Sequence, residues 1–312
     1  MAKIAVTGGA GFIGSHVVDA LVAEGHDVDV IDDLSGGRAE NVHPEATLHQ
    51  LDIRSVDAAH LFKNRGIEIL IHHAAQMDVR RSVADPAFDA DVNVRGVLNL
   101  LEAGRKAHLK RVIFASTGGA IYGEPEYTPQ DENHPLKPLS PYGITKLCTE
   151  KYLAYYRHEY GLDYAALRYG NVYGPRQNPH GEAGVVAIFT ERMLGGLPLR
   201  INGDGLQTRD YVFVEDVVRA NMAALSTGRN GIFNVGTGIE TSVVALFHKL
   251  RAITGSDAEE IHGDAAPGEQ RRSVLSWEHS QGALGWNPSV GIDEGLTRTV
   301  DWFRSRTAKL SS

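Results

Sequence analysis

The chain reads as an α/β protein built on a doubly wound parallel sheet, with a smaller C-terminal α/β lobe. Short apolar runs alternate with helical patterns from the start, the runs are near-continuously apolar, and a glycine string marks the first strand–helix junction. Lys3–Thr7 is the first strand. Phe12–Glu24 then places Phe12, Ile13, Val17, Val18, Leu21 and Val22 at helical spacing, with Gly25 as the stop. Strands are expected at Asp27–Ile31, Thr47–Leu51 and Ile67–His72, followed by a long helix over Phe88–His108. Arg111–Ala115 is the next strand, Pro141–Tyr160 the next helix and Tyr164–Tyr169 a further strand. After about residue 175 the rhythm loosens, as Gly195-Gly196-Leu197-Pro198 and Asn202-Gly203-Asp204-Gly205 cut the chain into shorter pieces. Residues 1–175 are therefore expected to form the sheet domain and 176–312 mainly a lobe capping its carboxyl edge. Within 209–235, a strand and helix near Tyr211–Leu225 are expected to return to the sheet.

A length of 312 residues suits one large domain or two intimate ones, and 42% hydrophobic with 22% charged residues is an ordinary globular composition. A net charge of −8 without a long basic run argues against nucleic acid as a principal partner. The single Cys148 excludes an internal disulfide framework and fits a reducing, cytoplasmic setting. No signal peptide is expected, and no stretch approaches the ~18–20 apolar residues that cross a membrane.

Gly8, Gly11 and Gly14, in Thr7-Gly8-Gly9-Ala10-Gly11-Phe12-Ile13-Gly14, follow the first strand and open the first helix. That placement lets the backbone approach a pyrophosphate, whose charge rests at a helix N-terminus. Asp32, at the end of the second strand, can accept two ribose hydroxyls and would repel a 2′-phosphate. Asp33 adds negative charge and Arg38 is the only nearby cation, so NAD is favoured over NADP. Asp52-Ile53, His72-His73-Ala74-Ala75-Gln76 and Asn93 lie where the strand ends converge. Asp52 suits an adenine amino group, and small Ala74 and Ala75 let a dinucleotide lie against the sheet. Adjacent His72 and His73 point to opposite faces and cannot chelate one ion; no metal-ligand spacing is present.

Tyr142 and Lys146 lie four apart at the start of a helix, on one face. With eleven Tyr in the chain, a Tyr-x-x-x-Lys is weak alone. A nearby ammonium is expected to lower the phenol's pKa and make it a base. With a hydroxyl from Thr117 (or Ser116) at the preceding strand end, the set suits proton removal from an alcohol whose carbon gives up hydride to a nicotinamide.

The segments TGGAGFIGSH, Asp32, LDIR, HHAAQ, Asn93, STGGAIYGE, SPYGITK, RYGNVYGPRQ, TRDYVFVEDV and PGEQRRS occur in this order over almost the whole chain. In them the chain resembles the extended short-chain dehydrogenase/reductase family and, within it, nucleotide-sugar epimerases of the UDP-glucose 4-epimerase type. The resemblance implies a Rossmann-type fold, tightly held NAD, a UDP-sugar substrate and C4 epimerisation through a 4-keto sugar. It extends the cofactor contacts to Phe12, Ile13, Leu34, Ser35, Gly37, Ile53, Gln76 and Tyr169. For the substrate it implies Gly118, Asn171, Gly184, Val185, Val186, Ile201, Arg209, Tyr211 and Glu269, with Arg209 facing the diphosphate and Glu269 the nucleoside ribose. The alternative for Arg209-Asp210 is an internal ion pair. A homodimer through the two long helices is also implied; Val97, Leu101, Leu153 and Tyr156 would face either the partner or the sheet.

Three places depart from the family pattern: Ala266 stands where an Arg is usual, Met77 where many members have Lys, and the STGGA loop is one residue longer. Gly118, Gly119 and Ala120 stand where the related dehydratases and decarboxylases carry acids, which favours epimerisation over elimination. Small Ser273 at the size-limiting position suggests room for N-acetylated sugars. A nucleotide-sugar decarboxylase, dehydratase or reductase, or a non-catalytic NAD-binding protein, is the alternative.

Overall fold

The alternation of apolar runs becomes a sheet whose two faces are both buried. In the computed structural model, which describes residues 1–180, 184–265 and 270–310, the strands are β1 Lys3–Thr7, β2 Asp27–Asp32, β3 Thr47–Gln50, β4 Ile69–His72, β5 Arg111–Thr117 and β6 Asp163–Tyr169. There follow β7 Asn171–Tyr173, β8 Ile201–Asn202, β9 Thr208–Phe213, β10 Gly231–Val235, β11 Glu240–Ser242 and β12 His262–Gly263. Seven pair in parallel in the order β3-β2-β1-β4-β5-β6-β10. The order reverses between β1 and β4, and the crevice beyond their carboxyl ends is where such sheets bind nucleotides.

Strand periodicity sorts the core. Ile4 and Val6 of β1 join Val17, Val18 and Leu21 of the helix Phe12–Ala23 and Val217, Ala220 and Ala224 of the helix Val214–Thr227. Ala5 points the other way, into a layer with Leu61, Phe62, Leu100, Leu101, Leu153 and Tyr156. A third core, with Val186, Phe189, Phe247, Leu250, Leu296 and Val300, builds the smaller lobe.

The structure revises several expected elements. The helix Val56–Arg65 was not foreseen, although Ser55 caps it by accepting from the Ala58 N–H and Gly66 ends it in the left-handed region. The expected helix Phe88–His108 begins earlier, as Pro86–Ala90, widens to a π-helical turn over Asp91–Gly96, and continues as Val97–Lys106. The strand containing Tyr211 does not rejoin the seven-stranded sheet: β9 pairs with β7 and antiparallel β11. It is the helix Val214–Thr227 and then β10 that return, β10 pairing with β6. Among the described residues, no helix is long and apolar enough to cross a membrane.

Candidate active site

The glycine string is folded as tightly as its composition allows. Gly8 has φ +68°, and a Cβ there would lie 2.7 Å from the Ala74 nitrogen. A Cβ on Gly14 would lie 2.2 Å from the Gly8 carbonyl oxygen, so only glycine lets the helix sit on the loop. Gly11 supplies the N-cap of Phe12–Ala23 without a side-chain cap, leaving the first N–H groups for an anion. Phe12 and Ile13 pack inward, against the smaller-lobe core and the first sheet layer. The Asp32 carboxylate accepts from the Ala10 N–H at 3.0 Å and the Leu34 N–H at 2.9 Å. Burial raises its pKa, while these two donors act against the shift. Gly37 is pressed beside it, its would-be Cβ 2.9 Å from Asp32 Oδ1. Asp33 is exposed and takes the Ser35 N–H and hydroxyl. Arg38 is engaged by Glu40. A glycine cradle, an uncapped helix N-terminus and a fixed carboxylate beside them fit a dinucleotide. Asp52 is bound by Arg54, which lowers its pKa and also reaches Asp91 at 2.7 Å; Ile53 packs under Gly96.

The next loop is fastened from behind. Ala74 N–H donates to Thr7 Oγ1 at 3.2 Å, and Ala75 lies half-buried beside it. The Asn93 side chain accepts from the Gln76 N–H at 2.8 Å and donates to the Gln76 carbonyl at 2.9 Å. Gln76 and Asn93 both donate to Asp89 Oδ1, while Thr145 Oγ1 donates to Asp89 Oδ2 at 2.7 Å. The Gln76 and Asn93 side chains are thus spent on holding the loop. Asp89 had no place in the sequence reading; its signal was its spacing of four from Asn93 inside an expected helix. Tyr169, at the end of β6, is buried with its hydroxyl against Asn221 and His73. Among the described residues, no group of three or more His, Cys, Asp or Glu is placed to hold a metal.

At the reactive end, β5 finishes in Ser116 and Thr117. Ser116 is 3% exposed, and its hydroxyl donates to Glu150 at 2.6 Å. Glu150 also takes two bonds from buried Arg168, at 2.9 and 2.7 Å. Thr117 is partly exposed and caps the helical turn Gly118–Ile121. The helix Pro141–Tyr160 packs hard on that turn: a Cβ on Gly143 would lie 2.5 Å from the Ala120 carbonyl oxygen. Tyr142 follows the Ser140 cap and is half-buried, its N–H on Ser82 Oγ. Lys146 is 4% exposed and donates to the Ala115 carbonyl at 2.8 Å. Its Nζ is 5.7 Å from the centre of the Tyr142 ring. The expected lowering of the Tyr142 pKa does not hold in the protein alone. Burial pushes it up and the Asp89 charge adds to the rise. Burial likewise brings Lys146 down to about 8, against Asp89 and then Glu150, which favour its charge.

The substrate residues are spread more widely. Asn171 opens β7 and is exposed, and Gly184 caps the helix Val185–Leu194 with no side chain of its own. Val185 is half-buried, but Val186 and Ile201 are core residues at 1% and 0% exposure, which leaves only their backbone for a ligand. Tyr211 is buried edge-on to Tyr173. Arg209 is half-buried on β9. The carboxylate of Asp210 beside it accepts from Thr237, Gly238 and Leu275. Gly118 is covered by Leu275, and Gly119 faces Ser273 Oγ across 3.9 Å from its would-be Cβ. Arg271 pairs with Asp204 and Arg272 with Glu240. Glu269 and Ala266 lie outside the described residues.

Known proteins resemble this chain in sequence and fold. The chain is 46% identical to a UDP-glucose 4-epimerase of Mycolicibacterium smegmatis over 308 residues, 97% of this chain and 98% of that one. It superposes on the Thermotoga maritima UDP-glucose 4-epimerase, solved with UDP-glucose, with TM-score 0.96, 50% identity and coverage of 98% and 99%. For a Methanobrevibacter ruminantium UDP-N-acetylglucosamine 4-epimerase the TM-score is 0.92 at 35% identity, covering 98% and 99%. Residues 4–236 match the NAD dependent epimerase/dehydratase family. With its glycine cradle, its fixed acid at Asp32 and its Tyr142–Lys146 helix against the end of β5, the chain belongs to that family.

Proposed function

We propose that this chain is an NAD-dependent isomerase that interconverts UDP-glucose and UDP-galactose by inverting C4. The observation that supports the reading is the packing of the Tyr142–Lys146 helix on the end of β5, where Lys146 bonds the Ala115 carbonyl, Gly143 meets Ala120, and Gly118, Gly119 and Ala120 follow Thr117. Bound NAD supplies the hydride acceptor and, after the sugar turns, the hydride donor. Tyr142 takes the proton from the sugar O4 as the C4–H bond breaks and returns it when that bond re-forms on the other face. Thr117 is the hydroxyl that steadies O4, because the Ser116 hydroxyl is committed to Glu150. Lys146, anchored on Ala115 and beside the Tyr142 ring, would hold a nicotinamide ribose hydroxyl when NAD is bound. Arg209 holds the diphosphate while the 4-keto sugar turns, and Glu269 accepts from the nucleoside ribose.

Elimination of water from C6 needs an acid beside the sugar, and the three residues after Thr117 offer no carboxylate. The small side chain of Ser273, close to Gly119, supports entry of the N-acetyl sugars. Incubation with UDP-glucose and with UDP-N-acetylglucosamine, read by NMR, tests both statements. The C4-inverted product without net NADH is expected; a 4-keto-6-deoxy sugar as the product overturns the reading. Turnover of UDP-glucose without any of UDP-N-acetylglucosamine would overturn only the wider specificity.

The reading includes a cytoplasmic homodimer. Val97, Leu101, Leu153 and Tyr156 are buried within the chain, against the sheet, and so are not the dimer surface. Ile144, Tyr152 and Tyr155 are exposed on one stripe of Pro141–Tyr160 and suit a second copy of the helix. The lone Cys148 suits a reducing compartment.

A further inference from the structure

Asp89 is a fully buried carboxylate with, among the described residues, no arginine or lysine in bonding contact, set between the cofactor loop and the catalytic helix. The geometry fixes Oδ1 as an acceptor. Gln76 Oε1 takes the Asp78 N–H and Asn93 Oδ1 takes the Gln76 N–H, so both amide nitrogens are turned onto Asp89. Its other oxygen faces the Thr145 hydroxyl, on the turn between Tyr142 and Lys146. Apolar burial would not require an acid here; the three donors would be satisfied equally by a neutral amide oxygen and a water. What an acid adds is a negative charge in a poorly screened interior.

We propose that Asp89 is a positioning residue of the epimerase site: it ties the Tyr142–Lys146 helix to the loop Ala74–Gln76, and its charge sets the pH window in which the pair works. This rests on the function proposed above. The charged and titratable groups facing the pair are few. Asp89 comes from the helix Pro86–Ala90, Glu150 from the catalytic helix itself, and His72 and His73 from the end of β4. Arg80 and Arg81, on the helix Val79–Ala84 packed beside Tyr142, are exposed. Glu150 is already neutralised by two bonds from Arg168, and both histidines are held neutral by burial, with pKa values brought down to about 3. Among the described residues, Asp89 is thus the carboxylate facing the pair that has no basic side chain bonded to it. After burial, it is the next contributor to the titration of both Tyr142 and Lys146, and it holds protons on each.

Asp89→Asn keeps an acceptor for Gln76 and Asn93 and removes the charge. In the purified NAD-bound enzyme, kcat for UDP-galactose is measured from pH 5 to 10. Both limbs of the profile are expected to move to lower pH by about half a unit or more. Thr145→Ala cuts the tie but leaves the charge; kcat falls with both limbs in place. Asp89→Glu, retaining the charge, is expected to restore the limbs. Asp89→Ser gives the same reading if the amide prevents folding. A uniform loss at every pH in Asp89→Asn, unchanged limbs, or an equal shift in Thr145→Ala overturns the proposal. Absence of turnover by the unmodified enzyme would instead overturn the function itself.

Discussion

In the proposed mechanism Tyr142 and Lys146 carry the chemistry, and their surroundings give it a sign. Burial raises the Tyr142 pKa, so NAD-free protein is expected to show no phenolate from this residue at neutral pH. An ultraviolet titration compared with Tyr142→Phe checks this: the two curves should coincide below about pH 10. In the holoenzyme Tyr142→Phe should lower kcat by about 10²–10⁴-fold with NAD retained. Lys146 has a folded pKa of about 8 against 10.5 in an open chain. Between these values the unfolded chain holds the proton and the folded one does not, so this group makes stability rise with pH. The rise totals about 3 kcal/mol and is complete near pH 10.5; below pH 8 the cost of the buried charge is carried in full. Denaturation of NAD-free protein across this window should show a slope that Lys146→Met flattens. The residue types proposed for this site are legible from sequence because proton transfer and hydride transfer call for them. The direction of the Tyr142 shift is not, because four-residue spacing places an ammonium nearby but says nothing of how much water is excluded. Nor does any local pattern show that Ser116 is consumed by Glu150, thirty-four residues away, while Thr117 stays available.

Among elements, the glycine loop and the helix packed on the end of β5 leave little room for change. Gly14→Ala would drive a methyl into the Gly8 carbonyl and is expected to cost about 1–3 kcal/mol, with loss of copurified NAD measured by absorbance after denaturation. Glu150→Ala leaves Arg168 buried and unpaired; chemical denaturation should show a loss of about 3–5 kcal/mol. The strands of the sheet were readable because both their faces are buried and the apolar runs are unbroken. The helix Val56–Arg65 escaped because Ala58, Leu61 and Phe62 are its only buried residues, too sparse a stripe beside His60, Lys63 and Asn64. The strand that returns was misassigned for a related reason. Tyr211–Phe213 is as buried and apolar as any sheet strand, but its partners belong to the smaller lobe, and pairing is a property of the fold rather than of the run.

For the whole molecule, three cores share one chain, and the two layers on the main sheet meet the smaller lobe where β6 passes through Gly170 into β7. The exposed stripe of Ile144, Tyr152 and Tyr155 predicts self-association: sedimentation should give a dimer, and Tyr152→Glu with Tyr155→Glu a monomer. The widened helical turn Asp91–Gly96 has its own consequence. It presents Asn93 so that the side chain closes on both backbone groups of Gln76, as a neighbouring strand would. Opening that turn and loosening the cofactor loop are then one event. Amide hydrogens from 91 to 97 should exchange with solvent in step with NAD release, which makes this short stretch a clock for how tightly the enzyme keeps its coenzyme between turnovers.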